Sequence, residues 1–505
     1  MSIKSTLYAC SPAFLQAIYQ RVEASPLGYR LAKGAFWSLA GAVIARGLGL
    51  LSGIVVARLL GKTEFGQLGM VQNTVGMFGT LAGFSLGLTA TKYVAQFKIT
   101  NPGRAGRIMG LASLVAWVSG GLATVLLFIL APWLAARTLG APHLSSLLQL
   151  GSVLLLLGGV SGAQTGALAG FEAFKIIARA SLITGVLSFP ITIACAVYLG
   201  VRGAVWAQIL TLGCNVLLNF LALRREAARM NVPLGYDRCW REWPILWSFS
   251  LPAVLGGALA GPVAWISSAL LVNQTNGYAE MGIYNAAMRM KSVPELVLSM
   301  VMAPLLPVLS EQFGRNQTEA YNKTLRYAFG LSLLLIVPAS LIQIAAPGLT
   351  MLPYGSSFRE DSGAVVQWLM VHAAFLGIFY PFGSILLSMN RTWFGFWYNV
   401  GYSALLLVLA AFLIPRTGGA GLASATALSY AGTSVVCVLY IYRRERAFVG
   451  NVVLWPAIAG VFISIAAFFA LHHFLPPVSA TVSAFLVVGT LVTAVLWRAH
   501  KRGLV

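Results

Sequence analysis

The chain has 505 residues, 58% of them hydrophobic and only 9% charged, with a mean hydropathy of +0.81. A soluble domain carries about 25% charged residues, so this composition excludes a soluble globular protein and indicates an integral membrane one. The net charge of +21 would suit a nucleic-acid partner, but most basic residues flank hydrophobic spans, where membrane topology accounts for them.

In chain order, Met1 to Arg30 contains no long apolar core and does not read as a signal peptide. Ala13 to Val22 suits a short amphipathic helix on the membrane surface, or else a frayed tail. Beyond it, many apolar runs reach the roughly 20 residues that a helix needs to cross a bilayer. Fourteen spans are predicted, near 33–57, 65–91, 107–131, 145–169, 174–199, 203–223, 243–272, 278–310, 324–346, 363–389, 392–414, 419–442, 452–474 and 478–497. The fold class is therefore an all-α polytopic membrane protein. An even number of spans puts both termini on one side. Of the 34 Lys and Arg residues, 25 fall in loops on the terminal side, six in the opposite loops, and Arg46, Arg289 and Lys291 inside spans. By the positive-inside rule both termini are cytoplasmic.

The longest charged connector, Arg224 to Glu242, divides the chain. The reading is an N-terminal segment (1–32), a six-helix bundle (33–225), a cytoplasmic linker (226–242), a second six-helix bundle (243–446), and two further spans with a cytoplasmic tail (447–505). The halves look related. An ungapped shift of 216 places Glu64-x-Gly66 on Glu280-x-Gly282 and Gln96-Phe97 on Gln312-Phe313. A shift of 218 places Gly200-x-x-Gly203 on Gly418-x-x-Gly421. Duplication is the better reading of this near-constant shift, and an even number of spans per half makes the repeat parallel, with a cavity expected at its interface.

Enzyme signals are nearly absent: no metal-nucleotide, phosphate-loop, zinc-protease or nucleophile-elbow motif occurs. Cys10, Cys195, Cys214, Cys239 and Cys437 lack ligand or disulfide spacing, so no metal and no cofactor is expected beyond a coupling ion. Of the thirteen acidic residues only Glu295 lies well inside a span, which leaves a paired-carboxylate mechanism nowhere to form. His372, in mid-span, reads either as a neutral imidazole bonded to a neighbouring helix or as a proton sensor.

The intramembrane charges are the strongest signal, because a charge near the bilayer centre costs about 3 kcal/mol or more. Arg46 lies ~20 Å into span one and Arg289 ~16 Å into span eight, so both reach the middle. Carboxylates to pair them are lacking there, and the expected counter-charge is the substrate. Lys291 and Glu295 are four residues apart, a good pairing distance for a structural or gating pair. Lys291 should point about 160° away from Arg289. Asn285 shares the face of Arg289, while Gln72 and Asn73 occupy the equivalent part of span two, with Asn73 falling on Arg289 under the 216 shift. These amides read as a solvated polar lining, as substrate contacts, or as both. Gly41, Ala45, Gly49 and Gly53 form a small-residue stripe in span one, and Pro294, Pro304 and Pro307 should loosen span eight.

Lys33-Gly34-Ala35-Phe36-Trp37-Ser38, Ala57-Arg58-Leu59-Leu60-Gly61, Glu64-Phe65-Gly66 and Lys92-Tyr93-Val94-Ala95 occur in order. With Gly282-Ile283-Tyr284, Arg289 and Gly418 to Ala425, this resembles the polysaccharide transporter family, the oligosaccharide flippases of the multidrug/oligosaccharidyl-lipid/polysaccharide exporter superfamily. The resemblance spans residues 31–445. It implies two pseudo-symmetric six-helix bundles forming a V around a cationic cavity, plus two C-terminal helices, in a bacterial inner membrane. It implies a flippase that is not an enzyme, moving undecaprenyl-pyrophosphate-linked repeat units by alternating access for O-antigen, capsule or exopolysaccharide synthesis. Implied with it are membrane lipids, a polysaccharide polymerase and a chain-length regulator as partners, function as a monomer, no nucleic acid, and coupling to a proton, sodium or the membrane potential. The related lipid II flippases have R-x-x-G-x-x-R-D-x-x-x-A-R in the first helix; here Arg46, Gly49, Ala57 and Arg58 match, but Ser52-Gly53 replaces the Arg-Asp pair. A multidrug antiporter fits less well, since a positive cavity repels cationic drugs. A polytopic glycan polymerase, ligase or glycosyltransferase would need a large outer loop or nucleotide-sugar site, which the sequence lacks.

Overall fold

The computed structural model describes residues 26–82, 86–250, 258–389 and 391–444. The predicted interfacial helix at 13–22, spans thirteen and fourteen, and the C-terminal tail lie outside the described residues. Among the described residues the chain is helical with no strand. The first half comprises α1 (Pro26–Ala82), α2 (Leu86–Phe97), α3 (Pro102–Trp133), α4 (Ser145–Gly170) and α5 (Phe174–Arg229). The second comprises α6 (Ala260–Val272), α7 (Gly277–Met302), α8 (Leu305–Gly314) and α9 (Thr318–Ala345). The short α10 (Pro347–Met351) and α11 (Ser356–Arg359) then lead to α12 (Gly363–Ser388) and α13 (Thr392–Arg444). Among the described residues, eight helical stretches are long and apolar enough to cross a membrane. The chain is a multi-pass membrane protein.

Three of the helices are too long for one crossing. α5 has 56 residues and would run ~84 Å if straight, against ~30 Å of hydrocarbon. It folds back instead. Gly200 takes φ 57°, ψ −136°, a left-handed conformation open mainly to glycine, and Gly203 then lies against the Cys195 carbonyl. Residues eight apart in a straight helix are ~12 Å apart. α13 does the same at Gly418 (φ 56°, ψ −129°), bringing Gly421 against the Leu413 carbonyl. α1 breaks at Gly61 (φ 72°). Each break falls in a predicted gap between spans. Predicted span eight is not a single helix among the described residues: it is interrupted at Ala303 and Pro304, between α7 and α8. A proline cannot donate the hydrogen bond that would carry the helix through.

The same contacts occur twice, in the register read from the sequence. The Glu64 carboxylate lies beside Gly200, and the Glu280 carboxylate accepts the Gly419 N–H at 3.1 Å, beside Gly418. At the crossing of α1 and α7, Gly66 packs on the Tyr278 carbonyl and Gly282 on the Lys62 carbonyl. The 216 shift carries Lys62 onto Tyr278 and Gly66 onto Gly282. The contact is therefore its own image under exchange of the halves, the property of an isologous interface. Gly69 faces Asn285, again 216 apart. An approximate two-fold axis runs between α1 and α7 along this line.

Around that axis the end bearing the Gly61, Gly200 and Gly418 turns is sealed. Asn273 Nδ2 donates to the Thr138 carbonyl at 2.7 Å, and the Tyr278 hydroxyl to the Leu139 carbonyl at 2.9 Å. Lys62 pairs with Asp361 at 2.7 Å, and Arg58 donates to the carbonyls of Pro353 and Leu352 at 2.5 and 3.3 Å. At the other end the predicted linker is docked. The Pro233 and Gly235 carbonyls rest on Gly106 and Gly110 of α3, while Arg104 and Arg107 pair with the buried Glu242 at 3.0 and 3.1 Å. On that side of α1, Arg46 is exposed and Gly47 and Gly49 have open space beside them.

Candidate functional site

A cavity of about 540 Å³ lies at the two-fold axis. α1 contributes Phe65, Gly69, Gln72 and Asn73, and α6 contributes Ala264, Ser267 and Ser268. From α7 come Tyr284, Asn285, Met288, Arg289, Lys291 and Ser292. α12 supplies His372, and α13 supplies Tyr402, Leu406, Leu422 and Thr426. The close glycine crossing just above lets α1 and α7 approach until both lines of side chains reach the same space.

Arg289 is half-buried. Its guanidinium lies 5.6 Å from the centroid of the Phe65 ring and against Gly53, where an added Cβ would come within 2.6 Å of Nη1. No carboxylate pairs with it among the described residues. Asn285 Nδ2, one turn earlier, is buried without a hydrogen-bond partner among the described residues. Asn73 Nδ2 donates to Ser268 Oγ at 3.0 Å. A permanent cation and an unused amide donor thus share one cavity wall. That arrangement can hold an anion, and a guanidinium fork suits phosphate oxygens best.

Lys291 is buried and pairs with Glu295 at 3.0 Å. The predicted pair forms, but the predicted direction of Lys291 is corrected, because it lines the same cavity as Arg289. A helical wheel fixes directions about one axis. Here the cavity wraps around α7 to the side of His372 and Thr426, and the four-carbon stem of Lys291 reaches into that part. Glu295 is outside the lining. Lys291→Met alone, leaving Glu295 unpaired, should cost about 3 kcal/mol, whereas Lys291→Met/Glu295→Leu should recover most of it. Thermal unfolding in detergent of the two variants checks this.

His372 is buried, and its ring lies edge-on to Tyr430 with centroids 5.0 Å apart. Its Nδ1 has no hydrogen-bond partner among the described residues, so the bonded-imidazole alternative is not met at that nitrogen. Arg46 is corrected too. It does not line the cavity. It stands seven residues before Gly53, on the same face of α1 but about 10 Å along it, so it does not form a clamp opposite Arg289. Gln72, Asn73, Asn285, Arg289, Lys291 and His372 are brought together; Arg46 and Glu295 are not.

Sequence reasoning missed Phe65, Tyr284, Tyr402 and the Ser267–Ser268 pair. The adjacent serines in an otherwise apolar stretch were a usable signal. The aromatic residues were not, since they look like ordinary core. Among the described residues no cluster of three or more His, Cys, Asp or Glu could hold a metal ion.

The cavity lies where the two helical halves of a multi-pass membrane protein cross. The chain superposes on a lipid II flippase MurJ in an inward closed conformation with a TM-score of 0.69 at 14% identity, covering 92% of this chain and 99% of that one. It superposes on an inward-facing multidrug resistance MATE family transporter of the MOP superfamily with a TM-score of 0.61 at 15% identity, covering 82% of this chain and 99% of that one. At such identities the likeness is one of fold. The chain belongs to the polysaccharide biosynthesis protein family, which matches residues 31–313. The "Lipid III flippase" of Escherichia coli (strain K12) is 26% identical over 437 residues, 83% of this chain and 100% of that protein. The "EPS I polysaccharide export inner membrane protein EpsE" of Ralstonia nicotianae is 24% identical over 418 residues, 80% of this chain and 91% of that protein.

Proposed function

We propose that the chain is a flippase carrying undecaprenyl-pyrophosphate-linked oligosaccharide repeat units across a bacterial inner membrane by alternating access, for O-antigen, capsule or exopolysaccharide synthesis. One observation carries the reading: Arg289 sits in the axial cavity with no carboxylate partner among the described residues. A charge so placed is costly unless an anion joins it, and pyrophosphate is an anion that a guanidinium holds by paired hydrogen bonds. Asn285, Gln72 and Asn73 complete the contact, and Arg46 receives the anion lower on α1. Lys291, Glu295 and His372 serve gating or ion coupling. In this reading two six-helix bundles rock about the axis, both termini are cytoplasmic, and the sealed end is periplasmic. The chain is not an enzyme; a polymerase and a chain-length regulator act on the delivered unit.

Gly53 supports this reading over that of a lipid II flippase. The aspartate of that pattern would fall at position 53, where the Arg289 guanidinium lies. A carboxylate there would neutralise Arg289; glycine leaves it for the substrate. The test is depletion of the chain in cells followed by an external lectin on spheroplasts. Lipid-linked repeat units should accumulate and stay hidden from the lectin. Units that reach the outside but remain unpolymerised would instead support a polymerase, and unchanged exposure with normal polymer would sink both.

A further inference from the structure

The connector between α9 and α12 is more than a surface loop. Its carbonyls at Leu352 and Pro353 are held by Arg58, and its Asp361 by Lys62. Both cations flank Gly61, the left-handed turn between the first two spans. Beneath them the connector drives two rings inward. Phe358 is fully buried and stands edge-on to Phe65 with centroids 6.1 Å apart. Tyr354 is 1% exposed, 5.7 Å from Phe358, and its hydroxyl has no hydrogen-bond partner among the described residues. Burial pushes the Tyr354 phenol up to about 12, with the Arg289 guanidinium pulling the other way. Phe65 lines the axial cavity and carries Arg289 on its face. One stack therefore runs from the cavity cation through Phe65 and Phe358 to Tyr354, under two polar latches at the rim.

We propose that residues 347–361 are the gate of the sealed end, latched by Arg58 and Lys62, and that an anion at Arg289 releases it by drawing the guanidinium off Phe65. The second clause rests on the flippase reading; the first does not. The latches suit repeated opening. Lys62 and Asp361 are 34% and 55% exposed, so water takes over both charges when they part, with none of the penalty attached to breaking a buried pair. The inner contact suits release by an anion, since a guanidinium binds a phosphate oxygen more strongly than an aromatic face. Tyr354, with its free hydroxyl beside Arg289, is the positioning residue that registers the change.

The experiment uses a cysteine at Ser292, which lines the cavity and is accessible within it, in a chain whose five native cysteines are serines. A membrane-impermeant thiol reagent is applied to spheroplasts. Lys62→Asp should raise labelling about tenfold, equivalent to ~1.4 kcal/mol, and Lys62→Asp/Asp361→Lys should restore protection. Equal labelling of parent and single variant, or a double variant as open as the single one, overturns the gate. Coupling is read separately on purified protein carrying Lys62→Cys/Asp361→Cys and a short bifunctional thiol reagent. Inorganic pyrophosphate should slow cross-linking, and Arg289→Ala should remove that effect. No slowing, or slowing that survives Arg289→Ala, overturns the second clause. The charge-exchange result needs no substrate, so it stands or falls independently of the lectin assay.

Discussion

Arg289→Ala should abolish surface glycan while the protein still inserts at its normal level. The guanidinium makes no ion pair among the described residues, so its removal leaves no carboxylate stranded and the fold should tolerate it. The substrate loses its permanent counter-charge. Truncating one side of a desolvated charge contact costs about 3 kcal/mol, roughly a hundredfold in affinity. Arg289→Lys keeps the charge but not the planar fork and should fall between. Gly53→Asp should reproduce the loss with Arg289 intact, because the new carboxylate would occupy the guanidinium. Arg46→Ala should be milder, since that side chain is exposed and outside the cavity. Membrane level by immunoblot and surface glycan by gel decide the matter. Full glycan output from Arg289→Ala would remove the basis of the proposed site.

The other large effect is structural. Gly66→Val and Gly282→Val should each lose at least about 3 kcal/mol and depress both melting temperature and membrane level. A Cβ at either position meets a main-chain carbonyl of the opposite helix rather than a flexible side chain, so α1 and α7 must part at the axis. The two positions exchange under the pseudo-symmetry, and their penalties should match. Gly47→Ala and Gly49→Ala are the controls: nothing lies within 4 Å of a Cβ there, and helix propensity favours alanine by up to ~1 kcal/mol. A drop of similar size at Gly49 would show that the small-residue stripe acts by some means other than close approach.

Composition and periodicity made the all-helical membrane class legible, because hydrocarbon leaves a helix few alternatives to about twenty apolar residues. The turns at Gly200 and Gly418 were legible as a recurring G-x-x-G. The break within span eight blurred, since hydropathy averages over a window and registers no interruption of one or two residues. For Arg289 the signal was its cost: a charge in mid-span needs a reason, and the reason is local to the residue. Arg46 carried the same signal, and there depth alone misled. Sequence places a residue along its helix but does not say which neighbour stands opposite, and Arg46 faces open space two turns from Gly53.

Lys291 teaches the complementary point. Its pairing with Glu295 followed from spacing, while its presence in the cavity depended on the shape of a space lined by α12 and α13 as well as α1. Tyr354 and Phe358 gave no sign at all, since a connector has no periodicity to interrupt. By itself the sequence determined the helical membrane class, the 216-residue register of the repeat and the cation within it, because each follows from spacing along one chain and the cost of burying charge. Only the tertiary structure decided that this register is itself the α1–α7 contact, that Arg289 rests on Phe65 and Gly53, and that the 347–361 connector closes over them. Those are relations between helices distant in sequence, set by how closely two glycine-lined backbones approach.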